Sequence, residues 1–254
     1  MTTITINENS TVKQGRGFAN LLRKEWGGWW RTFTWAGHLL VYLLMVNGLT
    51  IFDAWDTRQN GGAADEAFVG FFAFHSLFVM AGVIISAQGS IVGERQNGTA
   101  AWILSKPVSR NAFLLSKLTA LGGSMAIVGV LIPTIAAFIT WQIFGYSPLW
   151  EALPLVVVGL ALMALFFLSF VLWLGTLFES RTAVATFGFL MLFAQMQLGN
   201  QRIGLYLPGG LVYHLTGAVA GVPIGSALIG MGITAGLTVL FVALAMRRLQ
   251  NVEF

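Results

Sequence analysis

The chain has 254 residues, 56% of them hydrophobic and 9% charged. An ordinary soluble domain carries about 25% charged residues, so the solvent for most of this chain is lipid. With no cysteine it holds no disulfide framework or thiol nucleophile, and its net charge of +4 is spread along the chain rather than gathered on one nucleic-acid-binding face.

Residues 1–17 open with "MTTITINENSTV", which lacks the apolar core of a cleavable signal peptide and reads as a disordered tail. The segment 18–33, "FANLLRKEWGGWWRTF", follows. Phe18, Leu21, Leu22, Trp26, Trp29 and Phe33 recur at three- and four-residue steps, with Asn20, Arg23, Lys24 and Arg31 elsewhere. That spacing predicts an amphipathic helix in the membrane interface, with Trp26, Trp29 and Trp30 at headgroup level and a bend at Gly27–Gly28. It reads either as a plain anchor or as an elbow bordering a transport pathway.

Crossing a hydrocarbon core of ~30 Å takes about 20 apolar residues. Such runs lie at 34–52, 67–91, 113–144, 153–178, 182–199 and 223–246, giving six spans between 34 and 246. The stretch 199–222 is broken by Pro208, Gly209 and Gly210 and reads as short helices or a re-entrant piece outside the sixth span. With the N-terminus inside, twelve of the fourteen Lys and Arg fall on the cytoplasmic side, and only Arg58 and Arg202 lie outside. Both termini are then cytoplasmic, with 247–254 as a C-terminal tail.

The connection between spans two and three is unlike the rest. Glu94, Arg95, Lys106, Arg110 and Lys117 crowd into "GERQNGTAAWILSKPVSRNAFLLSK", residues 93–117. Thr99 is placed to cap a short helix, Pro107 ends it, and Ser109 caps the next. A loop that only sets topology has no need of the apolar triplet Trp102-Ile103-Leu104, which suggests a docking surface for another protein.

The pattern E-x-x-x-G-T-x-x-x-x-L-S-x-P-V-S-R-x-x-F-x-x-x-K over 94–117, with "LLRKEW" before the first span, resembles the permease subunits of ABC-2 type transporters. The resemblance implies an all-α membrane protein of six transmembrane helices. It also implies an N-terminal elbow helix that includes the pair Lys24–Glu25, and a coupling helix at about 94–110 that presses into a separate ATPase. Glu94, Gly98, Thr99, Pro107, Ser109 and Arg110 match the motif. Implied partners are two ATPase subunits, which would hold ATP and magnesium, a second permease copy or related permease, and membrane lipids. This chain itself would hold no cofactor.

Two observations stand beside the resemblance. The spans contain no carboxylate away from their boundaries, where ion-driven carriers keep such groups. No G-x-x-x-x-G-K-[ST] loop occurs, so a nucleotide site would be on another polypeptide. The expected activity is ATP-driven export of a lipophilic or amphipathic substrate such as a peptide antibiotic, drug or lipid. The alternatives are an assembly anchor that moves no substrate, an ion-coupled carrier, and an intramembrane enzyme. For the last, no catalytic constellation presents itself. His38 and His75 lie at different depths and read as packed, hydrogen-bonded residues. His214 lies in the broken segment without an assigned role. Small residues in spans three (Gly122, Gly123, Ser124) and six (Gly225, Ser226, Gly230, Gly232, Gly236) predict close helix approach.

Overall fold

The computed structural model describes residues 17–199, 201 and 204–251, and every regular element among them is helical. The tail expected at 1–17 lies outside the described residues apart from Gly17, as do Asn200, Arg202 and residues 252–254. Helix α1 covers Phe18–Trp30 and α2 Thr34–Gln59. Next come α3 (Ala64–Ala87), α4 (Val92–Gln96) and α5 (Thr99–Leu104). Helix α6 is Arg110–Ile143, α7 Leu153–Leu177 and α8 Arg181–Leu198. The broken segment holds two 3₁₀ turns and α9 (Leu211–Val219), and α10 closes the fold as Gly225–Gln250.

Five stretches among the described residues are long and apolar enough to cross a membrane: α2, α3 with α4, α6, α7 with the 3₁₀ turn before it, and α10. Helix α8, expected as a sixth span, has 18 residues. It falls outside that set because Arg181, Gln195 and Gln197 dilute its apolar run.

Helix ends depart from the hydropathy edges in a regular way. Helix α2 runs on to Gln59 and α3 starts at Ala64, so Asp53, Asp56, Asp65 and Glu66 are helical where a break was expected. Likewise α10 continues to Gln250, which puts Arg247 and Arg248 in its last turn rather than in a tail. Hydropathy marks where a helix leaves lipid. Polar residues can continue the backbone bonds into water, and cations suit a helix C-terminus. Helix α1 passes Gly27–Gly28 without a break, and the turn comes instead at residues 31–33, where Phe33 adopts φ 56° and is 72% exposed. Phe33 therefore leaves the apolar face expected of it.

Helix α7 forms the centre: 67% of its most apolar window is buried, against 22% in α2 and in α10. It packs along α10, and also against α3, α6 and α8. Since lipid is as apolar as a leucine side chain, close fit and interhelical hydrogen bonds hold such a bundle. Trp141 is fully buried among Phe68, Phe71 and Phe138 and donates its indole N–H to the Ala67 carbonyl at 3.3 Å. Of the small residues expected to draw helices together, Gly122 faces Leu165 and Leu168 of α7, and Gly123 faces Trp26. Gly225, Gly232 and Gly236 meet open space, so that part of the α10 stripe does no packing within the chain.

Helices α2 and α6 each contain a π-helical turn, at Leu43–Asn47 and Ala126–Leu131. Pro133 has no N–H to offer the Gly129 carbonyl four residues back, and His75 Nε2 donates to that oxygen at 3.0 Å. Asn47 Nδ2 donates to the Pro133 carbonyl at 2.8 Å. His75 thus satisfies a carbonyl that the proline leaves open, and Asn47 adds a hydrogen bond between α2 and α6. His38 bonds the Thr34 carbonyl and the Ser86 hydroxyl, both at 2.9 Å.

Candidate functional site

Helix α1 lies along the first turns of α6, and its inward face carries Leu21, Glu25 and Trp29 at four-residue steps. Leu21 and Trp29 are buried, Phe18, Leu22 and Trp30 half-buried, and Trp26 rests on Gly123 with 37% of its surface exposed. Glycine lets the ring come this close: a Cβ at position 123 would stand 3.0 Å from the Trp26 ring, which would have to shift slightly. Rings continue from Trp26 to Trp30 (5.9 Å) and on to Trp35 (5.7 Å), while Trp29 meets His38 at 4.7 Å. At its start α1 abuts the residues before α6: a side chain at Gly17, which has φ +85°, would collide with Val108.

A four-residue ion cluster joins α1, α4 and α6. Lys117 Nζ lies 3.2 Å from Glu25 Oε1 and 3.0 Å from Glu94 Oε1, and its side chain is only 5% exposed. Lys24 Nζ reaches the same two oxygens at 3.6 and 3.2 Å from a side chain that is 55% exposed. Burial alone would lower the Lys24 ammonium, but the carboxylates of Glu94 and Glu25 outweigh it and hold the group above the ordinary lysine value of 10.5. Glu94 Oε2 is buried without a hydrogen-bond partner, as is the Trp29 indole nitrogen.

The rest of the segment is braced around this cluster. Arg95 pairs with Glu179 at 3.4 Å, and Gln96 Nε2 donates to the Glu179 carbonyl at 2.8 Å, which ties α4 to the α7–α8 turn. Gly98 adopts φ +68° and heads α5, a left-handed conformation that glycine takes without strain. The expected cap at Thr99 is replaced by a different bond: Thr99 is the first helical residue, and its hydroxyl donates to the Glu94 carbonyl at 3.2 Å. Ser109 caps α6 as expected, accepting from the Ala112 N–H at 3.1 Å. Arg110 donates to the carbonyls of Leu249 and Gln250 at 2.7 and 2.8 Å, closing the end of α10.

The apolar triplet on α5 divides. Ile103 is buried with Ala100, Leu104 is half-buried, and Trp102 stands 64% exposed. Lys106 Nζ sits 3.4 Å over the Trp102 ring, a cation–π contact, and Pro107 is exposed just beyond. The outcome is an exposed aromatic and basic knob on a helix whose other face is pinned to the bundle.

Sequence reasoning reached Glu94 and the pair Lys24–Glu25 separately, and missed their meeting on Lys117. Two signals were available. An ammonium two turns into a span needs a partner, and Glu25 shares the four-residue spacing of Leu21 and Trp29.

This layout, a helix bundle with a charged, braced segment between its second and third long helices, is that of a membrane protein with several apolar helices. Residues 19–208 match the family described as ABC-2 family transporter protein, and the chain belongs to that family. No curated protein matches the chain.

Proposed function

We propose that the chain is the membrane-spanning permease subunit of an ATP-driven ABC-2 type transporter, with α5 as its coupling helix and α1 as its elbow. The observation that carries this reading is the Trp102–Lys106 knob: 64% of Trp102 is left uncovered on a six-residue helix fixed to the bundle on its other face. Large exposed aromatics of this kind anchor protein interfaces. Two ATPase subunits on the cytoplasmic side would hold ATP and magnesium and press on this knob in each of two paired permeases. The push passes from α5 through α4 to Glu94, then through Lys24, Glu25 and Lys117 to α1 and α6.

Both termini are cytoplasmic in this reading, in line with the Lys/Arg bias, and α8 is the sixth crossing. Phe187, Leu190 and Phe193 support the crossing, since they give α8 an exposed apolar face suited to lipid. The direction is export, and the apolar helices suit a lipophilic or amphipathic substrate. The test is affinity purification of the chain in mild detergent, with an ATPase assay on the eluate. A stoichiometric ATPase that is lost when residues 99–106 are scrambled, and is retained but uncoupled from substrate in Glu94→Ala, is the expected result. A chain that purifies alone, or an ATPase indifferent to the scrambled segment, overturns the assignment.

A further inference from the structure

Beside the ion cluster, α1, α2, α3 and α6 enclose a cavity of about 450 Å³. Its wall includes Lys24, Glu25, Glu94, Lys117 and Trp29. Thr34, His38 and Ile85 form its inner edge, and the same three residues begin a second hollow of about 580 Å³ between α2 and α3. That second hollow is an apolar groove along Gly37, Val41, Phe78, Ala81 and Gly82. It opens to the outside of the bundle, where Val41 is 49% and Ile85 55% exposed. Each volume lies within the range of about 300–1,000 Å³ usual for ligand sites. A chamber with charged groups on one wall thus leads directly into an apolar channel on the lipid-facing surface.

The chemistry of the chamber selects the head. Its two ammonium groups and two carboxylates sum to zero formal charge, so a strongly anionic head gains no net attraction. Trp29 brings a buried indole N–H without an acceptor and Glu94 a buried carboxylate oxygen without a donor. A phosphate ester accepts from the first and an ammonium donates to the second. We infer that the chamber and groove together form a site for one zwitterionic phospholipid of the adjoining leaflet, its phosphate–ammonium head among Trp29, Lys24 and Glu94 and one acyl chain along Gly37 and Gly82. The site is independent of what the transporter carries, because occupancy is read by retention and not by transport.

Two glycines allow a test that leaves the ion cluster intact. Gly28 lines the chamber and Gly37 the groove, and a Cβ at either meets nothing within 4 Å. The full chain is reconstituted in nanodiscs of mixed phosphatidylethanolamine, phosphatidylcholine and phosphatidylglycerol, released into detergent, and examined by native mass spectrometry. One retained zwitterionic lipid per chain is expected, with at least tenfold less in Gly28→Leu and in Gly37→Phe. Gly236→Phe, at another open glycine, should retain the lipid fully. Preferential retention of phosphatidylglycerol overturns the inference, and so does retention unaffected by either plug. Equal loss in Gly236→Phe would mark the lipid as non-specific and also overturn it. Soluble glycerophosphoethanolamine should fail to displace the lipid; displacement at millimolar concentration would mean that the groove contributes nothing and would overturn the acyl-chain assignment.

Discussion

Lys117→Met isolates the ion cluster. The substitution keeps an unbranched apolar stem and removes the charge that lies 3.0 Å from Glu94 and 3.2 Å from Glu25. Breaking a buried pair from one side costs about 3–5 kcal/mol. Here both glutamates keep some solvent, at 24% and 19% exposure, and Lys24 still reaches each of them. The expected cost is therefore about 2–3 kcal/mol, or roughly 30- to 150-fold in the docking equilibrium of α1. Lys24→Met removes pairs to the same two oxygens, but from a side chain that is 55% exposed, and should cost less than about 1 kcal/mol. The chain has no cysteine, so spin labels at Arg23→Cys on α1 and Thr119→Cys on α6 report the docking without background. The parent should give one narrow distance, Lys117→Met a second, longer population, and Lys24→Met almost none. Equal effects from the two lysines would refute the claim that burial sets the strength of this contact.

Trp102→Ala should change thermal stability by less than about 0.5 kcal/mol while abolishing retention of the ATPase in pull-downs, whereas Ile103→Ala, which opens a hole on the buried face, should cost about 2 kcal/mol or more in unfolding experiments. His75→Phe should destabilise the bundle by about 1–3 kcal/mol by orphaning the Gly129 carbonyl. Pro133→Ala in the same chain should restore part of that in denaturant titrations by returning an N–H to α6. Arg110→Gln should cost about 1 kcal/mol and increase hydrogen exchange in the last turn of α10, where two carbonyls lose a charged donor. Because Lys24 is raised above 10.5 in the fold, its contribution is complete below that pH and is lost as pH rises through the folded value; loss of the Lys24 charge above pH 10.5 should add no more second population to the α1–α6 label distance than Lys24→Met does.

The helices were legible because their cause is local. The apolar runs at 153–178 and 223–246 lie on α7 and α10, and the four-residue spacing of 18–33 lies on α1. What hydropathy mislaid was where helices stop: at Gln59 and Gln250 the backbone continues after the lipid has ended. The π turn in α6 left no trace that spacing could reveal, since the donor that meets the carbonyl freed by Pro133 is His75, far away in sequence. The candidate site was half legible. Glu94, Lys24 and Glu25 stood out as charges in an apolar chain, but their convergence on Lys117 depends on α1 lying along α6. The division of Trp102 from Ile103 likewise requires knowing which side of a six-residue helix meets the bundle.

The neutrality of the ion cluster has an electrical consequence. One elementary charge carried across the full membrane potential exchanges about 2.3 kcal/mol per 100 mV with the field. Lys117 alone, shifted along the membrane normal, would make α6 responsive to voltage. Because Lys24, Lys117, Glu25 and Glu94 hold one another within 3.6 Å, any rigid displacement that carries α1, α4 and the start of α6 together moves no net charge from this cluster. Such a motion draws no work from the membrane potential through these four residues.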